Sequence, residues 1–322
     1  MNRAKRIFPA RSAARFVAGD WGTSNLRLFL CDDNGAVLES ASGPGAADGH
    51  FADVFDSLVA KWASHPEELP AVLCGMVGSS IGWIQAPYLA CPARPEDIAT
   101  ACATLRDGRI RIIPGLSCRN RFDAPDFLRG EETQILGAME IQPALRQGRR
   151  LLCLPGTHTK WVMLEDGAVI EFLTAPTGEL FTLLRDGSVL VRERGGAADS
   201  SAPAFKLGLA QVGRFPQAQV LHRLFECRSR ALEGEISPHE AASLLSGLLI
   251  ASDIAGALEV FGNSMVVRAV HLIGSPQLME LYAAGLGLQH YETSSTDGSV
   301  AAVAGPAQVR RQLTRGSMAN AN

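Results

Sequence analysis

The chain has 322 residues, 47% of them hydrophobic and 20% charged, with a net charge of −3 at pH 7. This is an ordinary globular balance at a length of about two domains, and it excludes a broad electrostatic case for nucleic acid or an anionic membrane. Seven cysteines, odd in number and without a Cys-x-x-Cys pair, argue for reduced thiols in the cytoplasm and against a disulfide framework or a zinc site.

Residues 1–15 carry Arg3, Lys5, Arg6, Arg11 and Arg15, no acid and no long apolar segment. They read as a disordered basic tail, not a secretory signal. The folded part opens with an apolar run over 16–18 that ends at Asp20. A tight Gly22-Thr23-Ser24 turn follows, then a strand over 26–30, an Asp33-Asn34-Gly35 hairpin turn and a third strand over 36–38. The tip of the first hairpin offers N–H groups and hydroxyls to a phosphate, and the Asp20 carboxylate to a cation. The plain alternative is an edge hairpin with solvated turn residues. After a loop at 43–45, Phe51, Val54, Phe55, Leu58, Val59 and Trp62 have helical spacing over 50–64. A buried strand over 70–74 runs into Gly75-Met76-Val77-Gly78-Ser79-Ser80, the kind of turn at which open α/β sheets bind ligands. A strand over 110–113 ends in a loop, Pro114-Gly115-Leu116-Ser117, and a polar run covers 119–123. A helix begins near Glu131, where Glu131 and Glu132 also suit the helix dipole.

Residues 142–150 are polar and basic and mark a boundary. The grammar then restarts: Gly22-Thr23 recurs as Gly156-Thr157, and Gly35-Ala-Val-Leu-Glu39 as Gly167-Ala-Val-Ile-Glu171. Such a repeat predicts two related α/β domains facing each other, 16–145 and 146–298, with a helix over 299–313 packing back on the first. Within the second half, Pro176-Thr-Gly-Glu179 opens a helix, 189–203 reads as a loop and 218–231 as a helix. Ser237-Pro238-His239-Glu240 is a capping box that starts an apolar helix to 260. Ser243, Ser246, Ser252, Asp253 and Glu259 make that helix a buried one rather than a membrane span. A strand over 266–273, a Gly274-Ser275-Pro276 cap on a helix over 277–284 and a turn region from Tyr291 complete the chain, with a disordered tail after Thr314.

The special loops all follow buried strands, which suits one cleft between two gripping hairpin tips. Asp20 would hold Mg²⁺, Gly22, Thr23 and Ser24 would bind phosphate on one side, and Gly156, Thr157, Thr159 and Lys160 on the other. No dinucleotide fingerprint, complete Walker A end, Gly-x-Ser-x-Gly elbow or His-Glu-x-x-His helix is present. His158 reads as a polar turn residue.

The Asp-x-Gly-Thr-Ser hairpin, its copy and the late strand-Gly-Ser-helix together resemble the superfamily of actin, heat-shock chaperone ATPases and sugar kinases. Finer motifs resemble the 2-dehydro-3-deoxygalactonokinase family: GDWGTSNLR at 19–27, CGMVGS at 74–79, IPGL at 113–116, RGEETQ at 129–134, LPGTHTKW at 154–161 and APTGE at 175–179. The resemblance implies an α/β fold of two facing ribonuclease-H-like domains with the active site in the cleft between them. It implies ATP and Mg²⁺ as cofactors, Gly274 and Ser275 in the adenosine loop, and transfer to the terminal hydroxyl of 2-dehydro-3-deoxy-D-galactonate. Leu154 stands where a second acid would match Asp20, so the base is sought elsewhere. The helix at Gly130 resembles the catalytic-glutamate helix of exopolyphosphatases, which points to Glu132, or else Glu131, with Asp126 behind. Gly75, Met76, Gly78, Ser79, Pro114, Gly115 and Leu116 become substrate contacts, and Arg119 or Arg121 a partner for the carboxylate. The implied partners are a small sugar acid and ATP, with no nucleic acid or membrane; a homodimer is left open. The competing readings are a phosphohydrolase of the exopolyphosphatase type, a kinase for the 2-dehydro-3-deoxygluconate epimer and a regulatory ATP-binding module.

Overall fold

The computed structural model describes residues 15–63, 69–192, 196–214, 220–262 and 268–319. Two sheets share one plan. In the first, β1 (Arg15–Trp21), β2 (Asn25–Asp32) and β3 (Val37–Pro44) form an antiparallel meander. β4 (Ala71–Gly75) and β7 (Ile110–Ile112) extend it in parallel, and β6 (Ala103–Leu105) closes the edge, giving the order β3-β2-β1-β4-β7-β6. In the second, the meander is β10 (Arg149–Leu154), β11 (Thr159–Glu165) and β12 (Ala168–Ala175). Parallel β13 (Ala269–Gly274) and β14 (Glu292–Asp297) then give β12-β11-β10-β13-β14. The hairpin repeat seen in the sequence is therefore the start of a repeated sheet.

A small third sheet joins the halves. Its strands β5 (Tyr88–Ala90), β8 (Gly115–Arg119) and β9 (Pro125–Leu128) belong to the first half of the chain. They dock on β12. Asp126 accepts from the Thr174 amide at 2.9 Å and from its hydroxyl at 2.6 Å, and Lys160 Nζ donates to the Phe127 carbonyl at 3.0 Å. Arg121 grips Glu171 with two bonds, of 2.7 and 2.5 Å.

Helix α1 (Phe51–Val59) turns Phe51, Phe55 and Leu58 onto Trp21, Leu26 and Leu28 of the first sheet, and α2 (Pro95–Thr100) buries Ile98 and Ala99 in the core between the two sheets. Two helices run between the sheets: α3 (Glu131–Ile141), which ends the first half, and α9 (Gly298–Ala319), which ends the second. Side chains of both sheets, among them Val72, Leu152, Val162 and Ile273, meet Ile135 and Met139 of α3 and Val309 of α9 there. The two helices cross closely because glycine stands at the contacts. A Cβ on Gly137 would lie 1.9 Å from the Ala301 carbonyl oxygen, and one on Gly305 2.2 Å from that of Thr133. α9 also covers β1, burying Phe16, Ala18 and Cys31 against Val303 and Ala307.

The second sheet carries α4 (Thr177–Gly187), α5 (Pro203–Arg214), α6 (Glu226–Glu233), α7 (Ala241–Phe261) and α8 (Pro276–Leu288). The segment Pro238–Phe261 is long and apolar enough to cross a membrane. Here it packs against α4, α5, α6 and α8 and buries Leu244, Leu245, Leu248 and Ile254.

The structure corrects several expectations. Gly43 and Pro44 belong to β3, not to a loop, and pair with Leu26 and Asn25. The loop expected at Pro114 to Ser117 is mostly strand β8. The region after Tyr291 is β14, an edge strand whose sequence ETSSTD lacks apolar alternation. The helix expected over 218–231 is a 3-10 turn at Val220–His222 followed by α6, and α5 arises where no element was expected. α9 continues past Thr314 to Ala319. The basic tail lies outside the described residues except for Arg15, which opens β1. Residues 218–219 and 266–267, which began an expected helix and strand, also lie outside.

Candidate active site

The C-terminal ends of β1, β4, β10 and β13 open on one cleft, as in other sheets of parallel core. On the first-half wall, Asp20 stands opposite Arg27 in the β1–β2 register, and Arg27 Nη2 meets Asp20 Oδ2 at 2.5 Å. Beside them β4 ends at Gly75, whose φ is +88°. A side chain there would collide with the Trp21 carbonyl oxygen, 2.7 Å from the Cβ position, so glycine lets β4 turn tightly beside Asp20. On the opposite wall is the β10–β11 turn, Pro155 to His158. The start of α4 braces it: the Glu179 amide donates to the Thr157 carbonyl at 2.9 Å, and His158 Nε2 lies 2.9 Å from Glu179 Oε2. The starts of α3 and α9 form the floor.

Between the walls lies a cavity of about 330 Å³, lined by Asp20, Cys74, Arg129, Glu131, Thr157 and His158, with Gly130 and Gly156. Gly22, Thr23 and Ser24 line an adjoining hollow with Asp20 and Arg27. Gly274 and Ser275 line another with Arg27, Gln134, Asp297 and Gly298. Ser275 caps α8, its hydroxyl accepting from the Leu278 amide at 3.4 Å. Behind Gly156 and Gly178 an apolar recess opens between α4, α7 and α8, lined by Phe181, Leu249, Leu281 and Tyr282.

The adjacent glutamates face different surroundings. Glu131 is on the cavity wall, with Oε2 accepting from the Arg129 amide at 3.0 Å. Burial raises its pKa, against the pull of Lys160 and, more weakly, His158. Glu132 is fully buried beneath the wall, accepting from the Gly130 amide at 2.6 Å and the Thr133 hydroxyl at 2.9 Å. Burial, and then the neighbouring Glu131, push it up to about 8.

Several residues expected at the site are engaged elsewhere. Asp126 is buried in the bonds that dock β9 on β12. Lys160, also buried, belongs to the same network, bonding Thr174 at 2.8 Å as well as Phe127. Thr159 is buried with its hydroxyl 2.9 Å from that of Tyr282. Pro114, Gly115 and Leu116 are buried where β8 begins. Arg119 is an exposed partner of Asp123, and Arg121 is held by Glu171. Met76, Gly78 and Ser79 form the turn after β4; Gly78 lies under the Arg129 guanidinium, and the Ser79 hydroxyl donates to the Met76 carbonyl at 2.8 Å.

Arg27, Arg129, Gln134, the His158–Glu179 pair and the apolar recess were not singled out from sequence. A signal existed for two of them. Arg27 alternates with apolar residues along β2, three places beyond the turn, and so falls opposite Asp20. Arg129 opens the RGEETQ motif.

The model of the 2-keto-3-deoxy-galactonokinase family matches residues 20–309. The chain belongs to that family. It is 38% identical to a Rhizobium meliloti protein named "Probable 2-dehydro-3-deoxygalactonokinase", over 94% of this chain and 98% of that one. It is 33% identical to the 2-dehydro-3-deoxygalactonokinase of Escherichia coli, over 91% and 96%. A crystal structure of a candidate 2-dehydro-3-deoxygalactonokinase from Sinorhizobium meliloti superposes with a TM-score of 0.84 at 37% identity, covering 92% of this chain and 99% of that one. The paired sheets are thus the two facing domains of the actin and sugar-kinase architecture, and the chain is an ATP-using sugar-acid kinase.

Proposed function

We propose that the chain transfers the γ-phosphoryl group of ATP to the C6 hydroxyl of 2-dehydro-3-deoxy-D-galactonate, with Glu131 as the base. The observation that carries this reading is that Glu131 and Asp20, from different elements, line one cavity between the two hairpin turns. The apolar recess suits the adenine ring. The turns at Gly22 to Ser24 and at Gly156 and Thr157 suit the phosphates, and the positive ends of α3, α8 and α9 favour anions beside them.

Asp20 would hold Mg²⁺. Among the described residues no cluster of three or more metal-ligating side chains exists. A lone, partly exposed carboxylate nevertheless fits Mg²⁺, which keeps several waters and shares the nucleotide's phosphates. When bound, the ion neutralises phosphate charge. Glu131 accepts the hydroxyl proton as the C6 oxygen bonds to Pγ and the bond from Pγ to the bridging oxygen of ADP breaks. Its raised pKa makes the carboxylate a better proton acceptor at neutral pH. His158, steadied by Glu179, faces the same developing charge. Closure of the two walls would keep water from the phosphoryl group. Seven free cysteines and the need for ATP favour a cytoplasmic location.

A coupled ADP-release assay over a panel of sugar acids, including both C4 epimers of the 2-oxo acid, tests the reading. Turnover is expected with the galactonate-derived acid, with slow ATPase alone and little hydrolysis of polyphosphate. No stimulation by any acid would sink it, and hydrolysis of polyphosphate would favour the phosphohydrolase.

A further inference from the structure

We propose that Arg129 recognises the substrate's carboxylate and so makes this site specific for acids over neutral sugars. The proposal rests on the central cavity being the phosphoryl-transfer site. Arg129 is the only arginine or lysine among the described residues that line it. Arg119 and Arg121 lie outside it, each with an acidic partner. Lys160 is bonded to Phe127 and Thr174, and Arg27 to Asp20.

The guanidinium of Arg129 is held but incompletely satisfied. It stacks 4.3 Å over the Tyr88 ring, Nη2 donates to the Ala86 carbonyl at 2.9 Å, and Nε lies 3.4 Å from the Tyr88 hydroxyl. Nη1 is buried without a hydrogen-bond partner among the described residues. It presses on Gly78, where a Cβ would lie 2.8 Å from it, and this assigns a task to the second glycine of the CGMVGS motif. A buried, charged N–H without an acceptor is costly, and a planar carboxylate is the group whose two oxygens match a guanidinium edge. A small rotation over Tyr88 would present that edge to the cavity.

The position suits a sugar acid phosphorylated at its far end. The Arg129 amide donates to Glu131 Oε2 at 3.0 Å, so the carboxylate reader and the base are linked in one short segment. The side chain carries the guanidinium away from Glu131 toward Gly78 and Ala86. An acid spanning the gap would give its carboxylate to Arg129 and its terminal hydroxyl to Glu131. A neutral sugar would leave Arg129 unpaired, which is how a site built around a polar contact rejects analogues that lack it.

The experiment compares the wild-type enzyme with Arg129→Lys and Arg129→Met, using the 2-oxo-3-deoxy acid and its neutral carboxamide as acceptors. The wild type is expected to prefer the acid by roughly 10³-fold or more in kcat/KM. Arg129→Met should lose about 10²- to 10⁴-fold on the acid, mainly in KM, and clearly less on the carboxamide, so that the preference for the acid collapses. Arg129→Lys keeps the charge without the fork and should fall between. Equal losses on both acceptors, or a preference that survives the substitutions, would overturn the proposal. If the melting curve shows Arg129→Met unfolded, the acid-to-carboxamide ratio of Arg129→Lys decides. If the wild type turns over neither acceptor, the kinase reading fails separately. Calorimetric binding of acid and carboxamide to the wild type and Arg129→Lys then still reads carboxylate recognition: tighter wild-type binding of the acid supports it, and equal binding overturns it.

Discussion

Arg27 reaches across the first hairpin to Asp20, Nη2 to Oδ2 at 2.5 Å, from the position directly opposite in register. Both side chains are partly exposed, and such a pair contributes only about 0–1 kcal/mol to stability. Asp20→Asn should therefore shift Tm by no more than a few degrees while lowering kcat at least about 100-fold. A folded variant with near-normal turnover would remove Asp20 from the chemistry.

Glu131 and Glu132 should separate cleanly. Glu131→Gln is expected to lower kcat by about 10²- to 10⁴-fold with an unchanged KM for ATP. Glu132→Gln should keep most of the turnover, and its effect belongs to stability. The folded-state pKa of Glu132 is raised from the ordinary 4.5 to about 8, so the folded protein binds a proton that the unfolded chain has already released. Stability from this group is present in full below about 4.5 and is lost as pH rises toward about 8. Tm measured across that window should fall less steeply in Glu132→Gln than in the wild type. Parallel curves would mean that Glu132 does not titrate there.

Asp253 holds the wall of the apolar recess from behind. It accepts from Trp161 Nε1 at 2.8 Å, the Thr177 hydroxyl at 2.7 Å and the Tyr282 hydroxyl at 2.5 Å. In Asp253→Asn an amide N–H faces one or more of these donors, at a cost of about 1–3 kcal/mol. The expected result is a lower Tm and a several-fold higher KM for ATP, with the KM for the sugar acid unchanged. Steady-state kinetics with both substrates varied checks this, and equal changes in the two KM values would contradict it.

The α3–α9 crossing gives a stability test with its own control. At Gly137 an added methyl meets the Ala301 backbone, which cannot swing aside as a side chain could. Gly137→Ala should cost at least about 1–3 kcal/mol. Gly187→Ala has nothing within 4 Å of the new methyl and should leave the thermal melt nearly unchanged. Similar melts for both variants would mean that the crossing can open without loss.

What could be read beforehand followed strong local signals. The Gly22-Thr23 and Gly156-Thr157 turns are flanked by apolar strands, so both meanders were legible, as was the helix beginning at Glu131. β14 was not, because an exposed edge strand of Ser and Thr has no alternation to show. At the site, spacing brought out the turns, while the glutamates came from the resemblance, which pointed to Glu132 first; it is Glu131 that lines the cavity, since neighbours in a first helical turn differ only by the packing around them. Arg119 and Arg121 stood out as a charged run yet are held by Asp123 and Glu171. Arg129 drew less attention because its setting depends on Tyr88 and Gly78, distant in sequence.

The burial of Phe16 and Ala18 under Val303 and Ala307 has a consequence for synthesis. At a ribosomal rate of about 5–20 residues per second, the face of the first strand turned toward the second sheet waits roughly 15–60 s for its cover. Until then the nascent chain presents a bare apolar ledge beside a nearly complete sheet. Premature release, or loss of the last twenty or so residues, would leave that ledge uncovered, making the growing polypeptide a natural client for chaperones.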